Sequence, residues 1–130
     1  MILDTTFLVH VMRGDDDAVE REVELESAGR PQSLASITVA ELTFGIERSG
    51  RLDDEKQLVQ SVLEDRPVHP ADATVMRAAG RIRGRLVTDG DPIGVADAIV
   101  GATARIHDEP VLTRNVDHLD RVEGVEVEVY

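Results

Sequence analysis

Short apolar runs alternate with longer helical segments from one end of this chain to the other, and that alternation is its strongest constraint. MILD (1–4), QSLASI (32–37), RPVHP (66–70), EPVLTRN (109–115) and GVEVEVY (124–130) read as strands. Between them lie segments with helical spacing and helix stop signals. These are 5–14, 15–29, 38–50, 52–65, 71–90 and 95–107, several closed by glycine. Thr38 is expected as an N-cap and Gly50 as the stop of its helix. In 15–29, Ala18, Val19, Val23, Leu25 and Ala28 form a loose apolar stripe. In 71–90, Val75, Ala79, Ile82 and Leu86 recur on one face. Strand–helix alternation of this kind predicts an α/β fold of three layers, α/β/α, with a mainly parallel central sheet. The last strand, alternating apolar and acidic, is expected at a sheet edge. At 130 residues, with no linker or low-complexity tract, the chain reads as one domain, 1–130.

Composition narrows the chemistry. There is no cysteine, which excludes disulfides and thiolate metal sites. The formal charge is −12, from 26 acidic and 14 basic residues, with Lys56 the sole lysine. We read this as a surface adapted to concentrated salt, a halophilic signature, because at 1 M salt the Debye length shrinks to about 3 Å and self-repulsion is screened. Net charge then says little about substrate, and local arginines matter more. The start MILDTTFLVH lacks a basic n-region and no stretch is long and apolar enough to span a bilayer, so a cytoplasmic protein without membrane contact is expected.

In open parallel sheets, ligands bind beyond the carboxyl ends of the strands. Asp4 ends the first strand there, followed by Thr5 and Thr6. Thr113, Arg114, Asn115 and Asp117 follow the late strand. VAELTFG (39–45) and VADAIVG (95–101) each set one carboxylate, Glu41 or Asp97, in an apolar helical run with a glycine one turn later. A buried ionised carboxylate is costly unless paired or bound to a cation, and few basic residues lie near Asp97 in sequence. A divalent cation shared by Asp4, Glu41, Asp97 and a polar group from 113–117 is an economical solution. Hard oxygen donors select Mg²⁺ or Mn²⁺, which activate water and support displacement at phosphorus. The two glycines are expected to clear space beside the acids and to face away from solvent.

The order MILDTT, TVAELTFGIERSG, GVADAIVGATA and VLTRNVDHLDRV, spread over nearly the whole chain, resembles the PIN-domain ribonucleases. More narrowly it is similar to the toxin component of VapBC-type toxin–antitoxin modules. The resemblance implies a helix-sandwiched parallel sheet and a Mg²⁺- or Mn²⁺-dependent endoribonuclease acting on RNA. It also implies a homodimer and a cognate antitoxin that blocks the site. Carried over by position, Asp4, Glu41 and Asp97 are the first three acids. Asp4 and Asp97 would hold the metal directly, with Glu41 completing the set. Thr6 would support the first acid. The fourth acidic position falls on Asn115, with Asp117 two residues on as a substitute. Arg48 and Arg114 are candidate phosphate contacts.

Blander readings stand beside these. Asp4 is also a plausible helix N-cap, Glu41 a partner for Arg48, and Asp97 a favourable charge at a helix start. His10, His69, His107 and His118 show no ligand spacing and read as structural or surface residues. The arginine run 77–85 reads as a solvated helix face. Two alternative functions follow. One is a catalytically silent PIN-like module gripping a basic partner segment, which would not need three intact acids. The other is an aspartyl-phosphate enzyme, which would want a second acid where Thr6 stands and a lysine where Arg114 stands.

Overall fold

The computed structural model describes residues 1–50 and 52–130. In chain order the elements are β1 (Ile2–Leu3), α1 (Thr5–Met12), α2 (Asp16–Ser27), β2 (Leu34–Ala35), α3 (Ser36–Ser49) and α4 (Leu52–Glu64). There follow β3 (Val68–His69), α5 (Ala73–Thr88), α6 (Val95–His107), β4 (Val111–Leu112), α7 (Val116–Leu119) and β5 (Val127–Glu128). All strand pairs are parallel: β1 with β4, β4 with β5, and β2 with β3. A parallel bridge between Ile2 and Ser33 joins the two ladders, so strand order runs β3-β2-β1-β4-β5. The expected edge position of the last strand holds within its sheet.

The strands are two residues long, and the three central ones, β1, β2 and β4, are buried on both faces, as parallel sheets require, while β3 and β5 at the edges are partly open. Successive side chains point to opposite faces. Leu3, Leu34 and Leu112 therefore meet Phe7, Leu8 and Leu25 on one side. Ile2, Ala35 and Val111 meet Val100 and Ala104 of α6 on the other. On that second side α5 packs on α6 through the predicted stripe Val75, Ala79, Ile82 and Leu86. Phe7 is the one aromatic ring in this core, and the rest is aliphatic.

Two local expectations need correction. Thr38 is not an N-cap. The chain passes from β2 straight into α3, with Ala35 in the cap position. Ser36 Oγ instead donates to the His69 carbonyl at 2.7 Å and accepts from the Ala71 N–H at 3.1 Å. Thr38 is turned inward and fully buried. The stripe on α2 is also narrower than expected. Ala18 and Leu25 are buried, but Val19 and Val23 face solvent, because α2 packs chiefly on α1.

The strand order reverses between β1 and β4. Their carboxyl ends release the chain as Asp4 and Thr113 on either side of the reversal, which is the topological switch point of a doubly wound sheet.

Candidate active site

Asp4 is both a cap and a site residue. Its Oδ1 accepts from the Thr5 N–H at 2.9 Å and starts α1. Its Oδ2 accepts from Thr113 Oγ1 at 2.8 Å, across the switch point. The Asn115 N–H in turn donates to Thr113 Oγ1 at 3.1 Å, which orients that hydroxyl. Thr5 Oγ1 donates to Glu41 Oε1 at 2.7 Å and lies 3.2 Å from Thr38 Oγ1. Asp97, in the first turn of α6, holds His118 Nδ1 at 2.7 Å from its Oδ2.

Asp4, Thr5, Glu41 and Asp97 line one cleft of about 280 Å³, with Thr113, Thr38 and His118 behind them. Thr6, His10, Arg13 and Asn115 also contribute to it, with Val9, Ala96 and Val100 as apolar walls. Burial raises the Asp4 carboxyl above the usual carboxylate range. The hydrogen bonds from Thr113 and the Thr5 N–H oppose that, and the charges of Asp97 and Glu41 add to it. Asp97 and Glu41 thus each repel Asp4 across the shared space. Among the described residues no three of His, Asp and Glu approach closely enough to form a ready-made cage. Each acid is held by a neighbour instead: Asp4 by Thr113, Glu41 by Thr5, Asp97 by His118.

Five predicted residues meet here: Asp4, Glu41, Asp97, Asn115 and Thr6. The others do not. Asp117 is exposed in the first turn of α7 and does not line the cleft, so Asn115 is the one of that pair brought to it. Thr6 lines the cleft without bonding Asp4, whose support comes from Thr5 and Thr113. Arg114 is drawn away: its Nη2 pairs with Asp15 at 3.0 Å and its guanidinium stacks 4.6 Å over Tyr130. Arg48 is exposed on α3, does not line the cleft, and makes no ion pair with Glu41.

His10, Arg13 and His118 join the site without having been expected there. His10 and Arg13 follow Thr6 at spacings of four and three on α1, so helical periodicity from Thr6 would have found them. His10 Nδ1 lies 2.7 Å from the Tyr130 hydroxyl. His118 reaches Asp97 only through tertiary packing of α7 on α6, and nothing in the local sequence signals that.

The glycines behave differently from expectation. A Cβ on Gly45 would meet nothing within 4 Å, and the residue is exposed. Gly101 is buried, but a Cβ there would stand 3.2 Å from both methyls of Val122. Neither residue lines the acid cleft. Gly101 admits the turn after α7, and Gly45 clears nothing.

Known proteins agree with this architecture. The chain is 24% identical over 127 residues to the tRNA(fMet)-specific endonuclease VapC of Shigella flexneri, covering 98% of this chain and 95% of that one. It is 28% identical over 123 residues to ribonuclease VapC10 of Mycobacterium tuberculosis, covering 95% and 88%. Among solved structures, VapBC2 of Rickettsia felis bound to a promoter DNA fragment superposes with a TM-score of 0.88 at 21% identity, covering 99% of this chain and 97% of that one. FitAcB of Neisseria gonorrhoeae gives 0.78 at 28% identity, covering 97% and 94%. The PIN domain family model matches residues 1–125, and the chain belongs to the PIN domain family.

Proposed function

We propose that this protein is a metal-dependent endoribonuclease and the toxin of a type II toxin–antitoxin pair. The observation that carries the reading is the convergence of Asp4, Glu41 and Asp97, from three elements, on one cleft at the switch point. The names of the VapC relatives support it.

The residues present fit a divalent cation. The donors are carboxylates and hydroxyls, the choice of Mg²⁺ or Mn²⁺. Asp4 is held high partly by its like-charged neighbours, a penalty that a cation removes. Mg²⁺ keeps several waters and uses few protein carboxylates, so an open trio suits it better than a closed cage. Asp4 and Asp97 would hold the ion, with Glu41 completing the set. When bound, it supplies charge neutralisation at phosphorus and lowers the pKa of water.

The chain's own groups do the rest. Thr113 and the Thr5 N–H fix the Asp4 carboxylate. Thr5 fixes Glu41, leaving Oε2 to accept a proton or a water. His118 sets the rotation of Asp97. Arg13 makes no ion pair among the described residues and lines the same cleft, so it is the cation placed to meet a phosphate. Val9 of α1 and Ala96 and Val100 of α6 add apolar surface to the cleft, which lowers the local dielectric around its charges.

Two partners follow. A groove of about 480 Å³ between α1, α3 and α4 opens beside Glu41, lined by Val9, Met12, Leu42, Ile46 and Leu58 and rimmed by Asp54 and Glu55. An amphipathic, basic antitoxin segment suits it. Phe44 on α3 is 65% exposed, with Met76 and Val87 exposed on α5. A homodimer is proposed on the resemblance to the VapC toxins, and these single apolar side chains on separate helices do not define its interface. The test is RNA cleavage by the purified chain with Mg²⁺ or Mn²⁺. Asp4→Asn and Asp97→Asn should abolish it, and EDTA should do the same to the wild type. Cleavage by Asp4→Asn at the wild-type rate would refute the assignment.

A further inference from the structure

The arginines of α5 are not a uniform solvated face. Arg81 and Arg85 turn toward the α7–β5 connection, where Arg105 of α6 and Arg121 join them around a cleft of about 220 Å³. Asp89 and Glu123 also line it and Asp91 pairs with Arg121, so four arginines stand against three carboxylates in a chain whose overall charge is −12. A local excess of positive charge on so acidic a protein requires folding to collect it, since these four residues come from three separate segments.

The cleft is seated rather than incidental. Arg105 Nη1 donates to the Glu123 carbonyl at 3.1 Å. Its stem lies against Gly124, at φ +83°, where a Cβ would stand 3.2 Å from Arg105 Cδ. Arg121 is pinned by Nη1 to the Pro92 carbonyl at 3.1 Å and by Nε to Asp91 at 3.2 Å. Neither arginine's Nη2 has a partner among the described residues. Arg81 and Arg85 hold no hydrogen bond or ion pair among those residues. Two held guanidinium groups, each with an open Nη2, and two unpartnered ones at the rim present the forked donors that phosphate oxygens match.

Its place relative to the acids decides the ligand. Helix α6 carries Asp97 in its first turn and Arg105 in its last, eight residues or about 12 Å along the axis. His118, which touches Asp97, and Arg121 are three residues apart. One strand passing over α6 and α7 would meet both clefts. We propose that Arg81, Arg85, Arg105 and Arg121 form a second phosphate site. It holds the backbone of the RNA substrate a few nucleotides away from the segment in the acid cleft. This rests on the nuclease reading above.

The test measures binding and cleavage separately. Arg81→Gln/Arg85→Gln removes two arginines with no structural contact, so its melting curve should match the wild type. Binding of a labelled RNA of about 20 nucleotides is followed in EDTA across salt concentrations. The slope of log Kd against log salt should fall by about 0.7–0.9 per arginine removed, and Arg81→Lys/Arg85→Lys should retain most of it. With metal restored, the glutamine variant should show a raised KM and unchanged kcat on that RNA, and unchanged cleavage of a tetranucleotide. Wild-type affinity and slope in the glutamine variant would overturn the proposal, and so would tighter binding of duplex DNA of equal length. If the wild type binds RNA with the expected slope but cleaves nothing, the phosphate site stands and the nuclease reading fails. If it cleaves and the variant binds equally well, the reverse holds.

Discussion

His118 Nδ1 lies 2.7 Å from Asp97 Oδ2, so a histidine from α7 sets the orientation of an acid on α6. Asp97 is about a third exposed, and without that bond its carboxylate is free to rotate toward solvent. Removing an outer partner of a ligand group typically costs about 10–100-fold in metal affinity or activity. His118→Ala should therefore raise the Mg²⁺ concentration needed for half-maximal RNA cleavage within that range. His118→Asn, whose side-chain N–H can stand near the Nδ1 position, should recover part of it. An unchanged metal requirement in His118→Ala would show that the contact is only structural.

Asp4 predicts a stability gain on mutation. A carboxyl held above its unfolded value contributes most at low pH, and that contribution is lost as pH rises through the folded pKa. In EDTA, Asp4 is thus a liability once it ionises. Asn keeps the helix cap, since it serves as well as Asp there. Asp4→Asn should melt a few degrees above the wild type at pH 7. The gap should close as pH falls through the acid range, and Mg²⁺ should stabilise the wild type more than the variant. A lower melting point for Asp4→Asn at every pH would contradict the electrostatic account.

Glu109 predicts the opposite sign at the amino ends of the strands, away from the acid cleft. Burial alone would raise its carboxyl. Hydrogen bonds from Ser33, His69 and the Met1 ammonium outweigh that and hold it below the usual range. Stability from a depressed carboxyl is present above the unfolded pKa and lost as pH falls through the folded one. Glu109→Gln should lower the melting temperature by a few degrees at pH 7 and make little difference near pH 3. Thermal scans at the two pH values test this directly.

The paired glycines should separate cleanly. Gly45→Ala places a methyl in open space on a helix and should stabilise by up to about 1 kcal/mol. Gly101→Ala pushes on Val122, which is 3% exposed and has little room to move, and overpacking of this kind costs about 1–3 kcal/mol. Urea titration of the two variants should give shifts of opposite direction.

The outline of the fold was legible because each element carries its own signal. The strand runs are short and aliphatic, the helices have period and stops, and α6 begins and ends at the residues expected. Asp4, Glu41 and Asp97 were legible as candidates because strand ends and acids in apolar runs are local features, although Glu41 is exposed and not buried as its apolar flanks suggested. Asn115 and Asp117 could not be told apart until α7 turned Asp117 away from the cleft. The place of Arg114 was not legible. Asp15 and Asp17 capture it from the start of α2, and Tyr130 stacks beneath it from the far end of the chain. His118 and the Arg81–Arg121 cleft escaped for the same reason. Each gains its meaning from a neighbour tens of residues away, and one sequence carries no record of such pairings.

The parallel pairing of Ile2 with Val111 has a consequence for timing. Asp4 and Thr113, which completes its surroundings, are 109 residues apart, so one is made long before the other. Loop closure over that span is slow, and it cannot begin until β4 has left the ribosome. A nascent chain therefore holds separated acids and no cleft. The acid cleft exists only once β4 has been made and has paired with β1, and a chain interrupted before it lacks the site.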